Sequence, residues 1–207
     1  DIAKIALPIN QLNLYGYDDF FNFFIKLYKK KKLPKTTLLS GPKGLGKSTF
    51  VFHLINYFLS QNEGYKYETE KFHINENNIS YKLVNAKTHP NFFLIQKNKI
   101  DNEIKVESIR NLLKFLRKSS FSNNEKFIII DNSESLNLTS SNALLKEIEE
   151  PSQNTFFFII HNSTFKLLDT IKSRSNEFKI NFSYSQKIDI LKKMSSQYKI
   201  SLDSEKL

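Results

Sequence analysis

Gly41-Pro42-Lys43-Gly44-Leu45-Gly46-Lys47-Ser48 fits the spacing G-x-x-x-x-G-K-[ST] at every fixed position. Each part has a task. Glycines let backbone N–H groups curl around phosphate oxygens, Lys47 reaches the outer phosphates, and Ser48 offers a hydroxyl to Mg²⁺. The chain has only five glycines, and three of them, Gly41, Gly44 and Gly46, lie in this loop. A loop of this kind needs a carboxylate at the end of another buried strand to hold the metal's shell. Phe127-Ile128-Ile129-Ile130-Asp131 supplies one.

The elements that must position these groups follow from pattern. Residues 36–40 read as a short buried strand before the loop, and residues 47–60 as a helix after it, with Phe50, Leu54 and Phe58 on one face. Asp18 or Asp19 begins an earlier helix running to about Lys31, with Phe20, Phe24 and Leu27 on one side and Phe21, Ile25 and Tyr28 beside them. Residues 61–90 are polar and poorly periodic, an insertion with a short strand or helix. Strands are expected over 92–95, 127–130, 156–160 and 178–182. Helices are expected over 105–118 (Val106, Ile109, Leu113 and Leu116 at helical spacing), 139–150, 166–174 and 185–198. Alternating strands and helices, with strands apolar throughout, predict an α/β fold with a parallel sheet covered on both faces.

Composition limits the partners. The chain has 207 residues, a formal charge of +10 and no cysteine. Disulfides and thiolate zinc sites are excluded, and a reducing cytoplasm is the simplest setting. No signal peptide is visible at the start, and the longest apolar runs are too short to span a bilayer, so a soluble protein is expected. The charge is nearly all lysine; arginine occurs only at Arg110, Arg117 and Arg174. The Lys29-Lys30-Lys31-Lys32 cluster reads as a helix end, where cations suit the dipole.

Further motifs carry a resemblance. Asn142-Ala143-Leu144-Leu145-Lys146-Glu147-Ile148-Glu149-Glu150-Pro151 resembles N-A-L-L-K-x-L-E-E-P, and Thr170-Ile171-Lys172-Ser173-Arg174-Ser175 resembles T-I-x-S-R-C with serine for cysteine. Thr88-His89-Pro90-Asn91, Leu33-Pro34 and Leu14-Tyr15-Gly16-Tyr17 match smaller boxes. All are similar to the bacterial DNA polymerase III clamp-loader family of AAA+ proteins, most to its delta-prime branch. That resemblance implies a three-layer α/β/α P-loop domain over 1–182, with 183–207 opening a small helical lid. The chain stops just after that unit begins, as a fragment would, and the family's C-terminal collar domain is not in it.

The resemblance also implies roles. Gly41, Pro42, Lys43, Gly44, Leu45, Gly46, Lys47, Ser48 and Thr49 would hold ATP phosphates, Tyr15 and Gly16 would lie near adenine, and Ser48 and Asp131 would bind Mg²⁺. Arg174 would be an arginine finger acting on a neighbouring subunit's nucleotide, and Asn162 the sensor-1 polar residue. Lys146 lies on the helix that the family places near a central DNA chamber. The expected partners are the gamma/tau and delta subunits, the sliding clamp and, through the complex, primer-template DNA, with no membrane. Relatives with a motor role follow the acidic strand with Asp-Glu, where the Glu activates water. Here Asn132 stands in its place, and an amide cannot take a proton, so ATPase activity is expected to be weak or absent. The family's four-cysteine zinc module cannot form, and His73 and His89 do not rebuild it. Other readings stay open. They are a gamma/tau-like motor ATPase with Glu134 as base, a small-molecule kinase, and nucleic-acid binding driven by charge alone.

Overall fold

The structure is a computed structural model, described for residues 5–97, 102–118 and 125–198. The elements run α1 (Asp18–Lys29), β1 (Thr36–Gly41), α2 (Lys47–Leu59), α3 (Ile79–Asn85), β2 (Phe92–Ile95), α4 (Val106–Arg117), β3 (Lys126–Ile130), α5 (Leu138–Glu149), β4 (Thr155–Asn162), α6 (Asp169–Lys172), β5 (Asn176–Lys179) and α7 (Tyr184–Tyr198). Single 3₁₀ turns form at Pro8–Asn10 and Ser133–Ser135. The α/β class and the parallel sheet are as expected. No described helix is long and apolar enough to cross a membrane.

The chain divides into two compact units. One comprises residues 33–47 and 86–180 and contains the whole sheet, in the order β2-β3-β4-β1-β5. Every strand pair is parallel. Every residue of β1, β3 and β4 is buried, as central strands of a sheet covered on both faces require. One face packs Leu38, Ile128, Ile130, Phe157 and Ile159 against Ile109 and Leu112 of α4 and Leu144 and Ile148 of α5. The buried stripe of α4 therefore runs through Leu112; Leu113 is only half-buried. Its C-terminus is closed by Lys126, whose Nζ donates to the carbonyls of Phe115, Leu116 and Lys118.

Three elements differ in extent from the sequence reading. β4 runs on through His161 and Asn162, because Gly41 at the end of β1 pairs with Asn162. β5 lies at 176–179 rather than 178–182; its register is fixed by Thr37 facing Asn176. The helix expected over 166–174 is a single turn, Asp169–Lys172.

The second unit comprises residues 1–32, 48–85 and 181–207. Its described core is aromatic. Tyr17 stacks on Phe50 with ring centroids 4.7 Å apart, and Phe21 stacks on Tyr67 at 4.9 Å. α1 buries Phe21, Phe24 and Ile25, all within the expected stripe, while Phe20, Leu27 and Tyr28 at its margins are half-buried. Lys30, Lys31 and Lys32 follow the end of α1 and face solvent; Lys31 takes the left-handed turn at φ 55°. The 61–90 insertion contains α3, anchored by distant groups. Glu63 accepts the N–H groups of Ile79 and Ser80, and Asn78 bonds Asn56 at 3.0 Å.

His53 of α2 is fully buried. Its Nε2 meets the Gln11 carbonyl at 2.8 Å and so donates, which leaves Nδ1 to accept from the Tyr67 hydroxyl at 2.9 Å. Burial pushes its pKa down to about 3, against partial support from the Gln11 bond. Between pH 6.5 and 3 the unfolded chain binds a proton that the folded chain refuses. Stability is therefore expected to fall as pH drops below 6.5, at about 1 kcal/mol per pH unit, and to owe nothing to this group above 6.5. Urea unfolding followed from pH 7 to 5 should show that slope, and His53→Gln should flatten it. An unchanged slope in the variant would contradict the assignment.

Candidate nucleotide-binding site

β1 ends at Gly41 because the chain must then turn back under the sheet end. Gly41 tolerates no side chain: an added Cβ would lie 2.4 Å from the Ile180 carbonyl oxygen. Gly44 and Gly46 take φ of +88° and +78°, a region open to glycine at no steric cost. An added Cβ at Gly44 would meet nothing within 4 Å, so the loop is open at its tip. Pro42, Lys43 and Gly44 are exposed, and Leu45 is half-buried. The Lys47 ammonium folds back into the loop and donates to the carbonyls of Gly41 at 2.7 Å and Pro42 at 2.6 Å. Burial lowers its pKa, and the negative charges of Glu134 and Asp131 oppose that shift. Two carboxylates thus stand within electrostatic reach of this cation.

Asp131 follows β3, where its backbone N–H donates to Ile95 at 2.8 Å. Its Oδ1 accepts the N–H of Asn132 at 2.9 Å. Asn132 sits at φ 58°, a left-handed position that asparagine tolerates better than most residues. That turn throws the chain into the Ser133–Ser135 3₁₀ turn and brings Glu134 back toward the sheet end. Glu134 is not a solvated cap for the following helix, the bland role its position in sequence suggests. Its side chain is only 12% exposed. Its Oε2 accepts the Asn162 N–H at 3.1 Å and lies 3.6 Å from His161 Nδ1. The cap of α5 is instead Asn137, whose side chain accepts from Ser140 N–H. His161 was not singled out from the sequence. Only its place one residue before Asn162 on a strand with inward-facing neighbours could have drawn attention to it.

Asn162 ends β4 beside Gly41. Its Oδ1 accepts from the Thr164 N–H and hydroxyl. Its Nδ2 has no hydrogen-bond partner among the described residues, which leaves an amide donor at the sheet end. Arg174 follows α6. Its Nε donates to Glu149 Oε2 at 3.0 Å and its Nη1 to the Thr170 carbonyl at 3.1 Å. Lys146 also lies on α5, exposed to solvent.

In the other unit, Ser48 and Thr49 open the part of α2 after Lys47, both half-buried. Gly16 has φ +77° and packs against Ile190 of α7, whose Cδ1 would lie 2.3 Å from an added Cβ. The Tyr15 hydroxyl donates to Gln197 Oε1 at 2.9 Å. The segment leading into α1 and α7 are thus tied together. Away from these groups, His73 bonds the distant Asn13 side chain and His89 the nearby Asn91 N–H.

Chemically, the sheet unit gathers an open glycine loop, a buried ammonium, two carboxylates and an amide donor at the ends of neighbouring strands. Ligand sites of α/β sheets form at such carboxyl ends. N–H donors and a cation suit phosphate oxygens, and carboxylate and hydroxyl oxygens suit Mg²⁺.

Known proteins agree with this architecture. A family profile described as "DNA polymerase III, delta subunit" matches residues 16–183. DNA polymerase III subunit delta' of Pseudomonas aeruginosa is 31% identical over 137 residues, which cover 66% of this chain and 40% of that protein. The subunit delta' of Escherichia coli is 26% identical over 155 residues, covering 74% of this chain and 44% of that one. The chain spans less than half the length of these relatives. Among solved structures, a DNA polymerase III gamma subunit-related protein of Thermotoga maritima superposes with a TM-score of 0.57 at 19% identity, covering 84% of this chain and 52% of that one. The RuvB Holliday junction branch migration motor of the same organism gives 0.54 at 15% identity, covering 95% and 57%. These two likenesses establish the α/β fold, and the profile establishes more: the chain, similar to the delta' subunits above, belongs to the DNA polymerase III delta subunit family.

Proposed function

We propose that this chain is the nucleotide-holding part of a clamp-loader subunit of DNA polymerase III. It binds Mg-ATP tightly, hydrolyses it slowly, and lends Arg174 to the nucleotide of an adjacent subunit. In the assembled complex with gamma/tau and delta subunits it helps to place a sliding clamp on primer-template DNA. The observation that carries the reading is a complete phosphate loop beside an acidic strand whose next residue, Asn132, is an amide turned into a left-handed bend. In this reading the residues from Gly41 to Thr49 hold the phosphates and Asn162 offers its amide to the terminal one. Ser48 and Asp131 hold Mg²⁺, Tyr15 and Gly16 lie near the base, and a bound Mg²⁺ would neutralise phosphate charge.

A second reading has one observation in its favour. The Glu134 side chain is only 12% exposed and its carboxylate accepts the Asn162 N–H at the end of β4, so it is a candidate base for a motor ATPase of the gamma/tau kind. Glu134→Gln in the full-length protein separates the two. The proposed reading expects slow turnover at saturating ATP, unchanged by the substitution. A general base is worth roughly 10²–10⁴ in rate, so a loss of that size on substitution would establish the motor reading instead.

A further inference from the structure

The segment that carries Arg174 is anchored within the sheet unit on both sides. Spanning it, the Ser175 hydroxyl donates back to the Ile171 carbonyl at 2.8 Å. After it, Glu177 of β5 accepts from Ser40 Oγ of β1 at 2.6 Å and pairs with Lys172 at 3.6 Å. The backbone under Arg174 is therefore tied to the strand that leads into the phosphate loop. The side chain is tied separately. Nε donates to Glu149 Oε2 at 3.0 Å, and Nη1 donates to the Thr170 carbonyl at 3.1 Å with a long 3.5 Å contact to Ser173 Oγ.

A guanidinium has five N–H groups in a rigid planar fork, and it can grip an oxyanion side-on through Nε and Nη2 or end-on through Nη1 and Nη2. Glu149 occupies Nε and so removes the side-on grip. Nη2 has no partner among the described residues, and the Arg174 side chain is 30% exposed. What stays available is Nη2, because Nη1 already donates to Thr170 and touches Ser173. Glu149 is the last residue of α5, so its backbone is anchored by a helix whose Leu144 and Ile148 are buried in the core, while its side chain is 53% exposed. The contact therefore joins two of the sequence motifs that composition alone leaves unrelated.

We infer that Glu149 is the positioning residue of Arg174: it holds the guanidinium in one orientation, with Nη2 presented to a phosphate outside this chain. The inference rests on the proposed action of Arg174 on a neighbour's nucleotide. A preset arm reaches the transition state without a search among rotamers, and loss of such placement costs up to roughly 100-fold in rate. Glutamine keeps an oxygen that accepts from Nε; alanine keeps nothing.

The test uses the full-length protein reconstituted with its neighbouring subunits, with ATP turnover measured for wild type, Glu149→Ala, Glu149→Gln and Arg174→Ala, and melting midpoints recorded for each chain. Glu149→Ala is expected to lower kcat about tenfold with KM and melting midpoint unchanged, and Glu149→Gln to stay within about twofold of wild type. If Arg174→Ala is impaired while Glu149→Ala matches wild type or exceeds it, the positioning role is overturned and the action of Arg174 on its neighbour survives. Equal losses in both Glu149 variants with lowered melting midpoints would mark a merely structural contact and also overturn it. An unimpaired Arg174→Ala complex would remove the underlying reading, and this inference with it.

Discussion

Replacing Arg174 with alanine is expected to lower ATP hydrolysis in the reconstituted complex by about three orders of magnitude at the adjacent site, while this chain's own nucleotide affinity stays the same. Arginine fingers supplied from another chain are worth roughly 10³–10⁵ in kcat, because they meet charge that develops only in the transition state. The two halves of the expectation come from geometry. Arg174 is separated from its own chain's phosphate loop by its ties to Glu149 and Thr170, so it has no described bond to any loop residue. Arg174→Lys should recover little, since an ammonium is a point charge without the fork. Single-turnover hydrolysis by the complex, with a nucleotide-binding titration of the variant chain, checks both halves. A variant with weakened affinity of its own would place Arg174 at the wrong site.

Lys47→Ala is expected to weaken ATP binding by this chain about 10- to 100-fold and to leave the fold intact. A charged hydrogen bond is worth about 1.5–3 kcal/mol, which sets that range. The ammonium is buried, yet the bonds it makes go to two loop carbonyls, Gly41 and Pro42, at the base of an open loop. With the side chain truncated, those carbonyls gain access to water, so the stability loss should be small. Unfolding midpoints of the variant and wild type should agree closely, and titration with ATP should not. Equal affinity would mean that the loop holds no phosphate.

Much of the fold was legible because its signals are local. The strand at Phe127, the loop glycines and the helix starting at Lys47 each carry their own pattern of burial or turn chemistry. The extent of β4 was not legible, since His161 and Asn162 are polar and enter the strand only because Gly41 pairs across from Asn162. α3 was legible only as a short strand or helix somewhere in 61–90, for a similar reason: the carboxylate that caps it, Glu63, lies sixteen residues upstream of Ile79. For the candidate site, motif spacing pointed to Lys47 and Asp131, and a separate motif to Arg174. It did not find the direction of Glu134, which depends on the left-handed turn at Asn132, nor the bond from Arg174 to Glu149 across twenty-five residues. Spacing reports which residue types are present; partners far apart in sequence are set by topology.

The central claim is that this chain holds nucleotide without turning it over at an ordinary enzymatic rate. One measurement addresses it most directly: ATP binding at equilibrium and steady-state ATP turnover, with Mg²⁺, on a single sample of the full-length protein. The account predicts saturable binding of one nucleotide per chain, with turnover orders of magnitude below the roughly 10 s⁻¹ typical of enzymes. Turnover near that typical rate, abolished by Lys47→Ala, would contradict it.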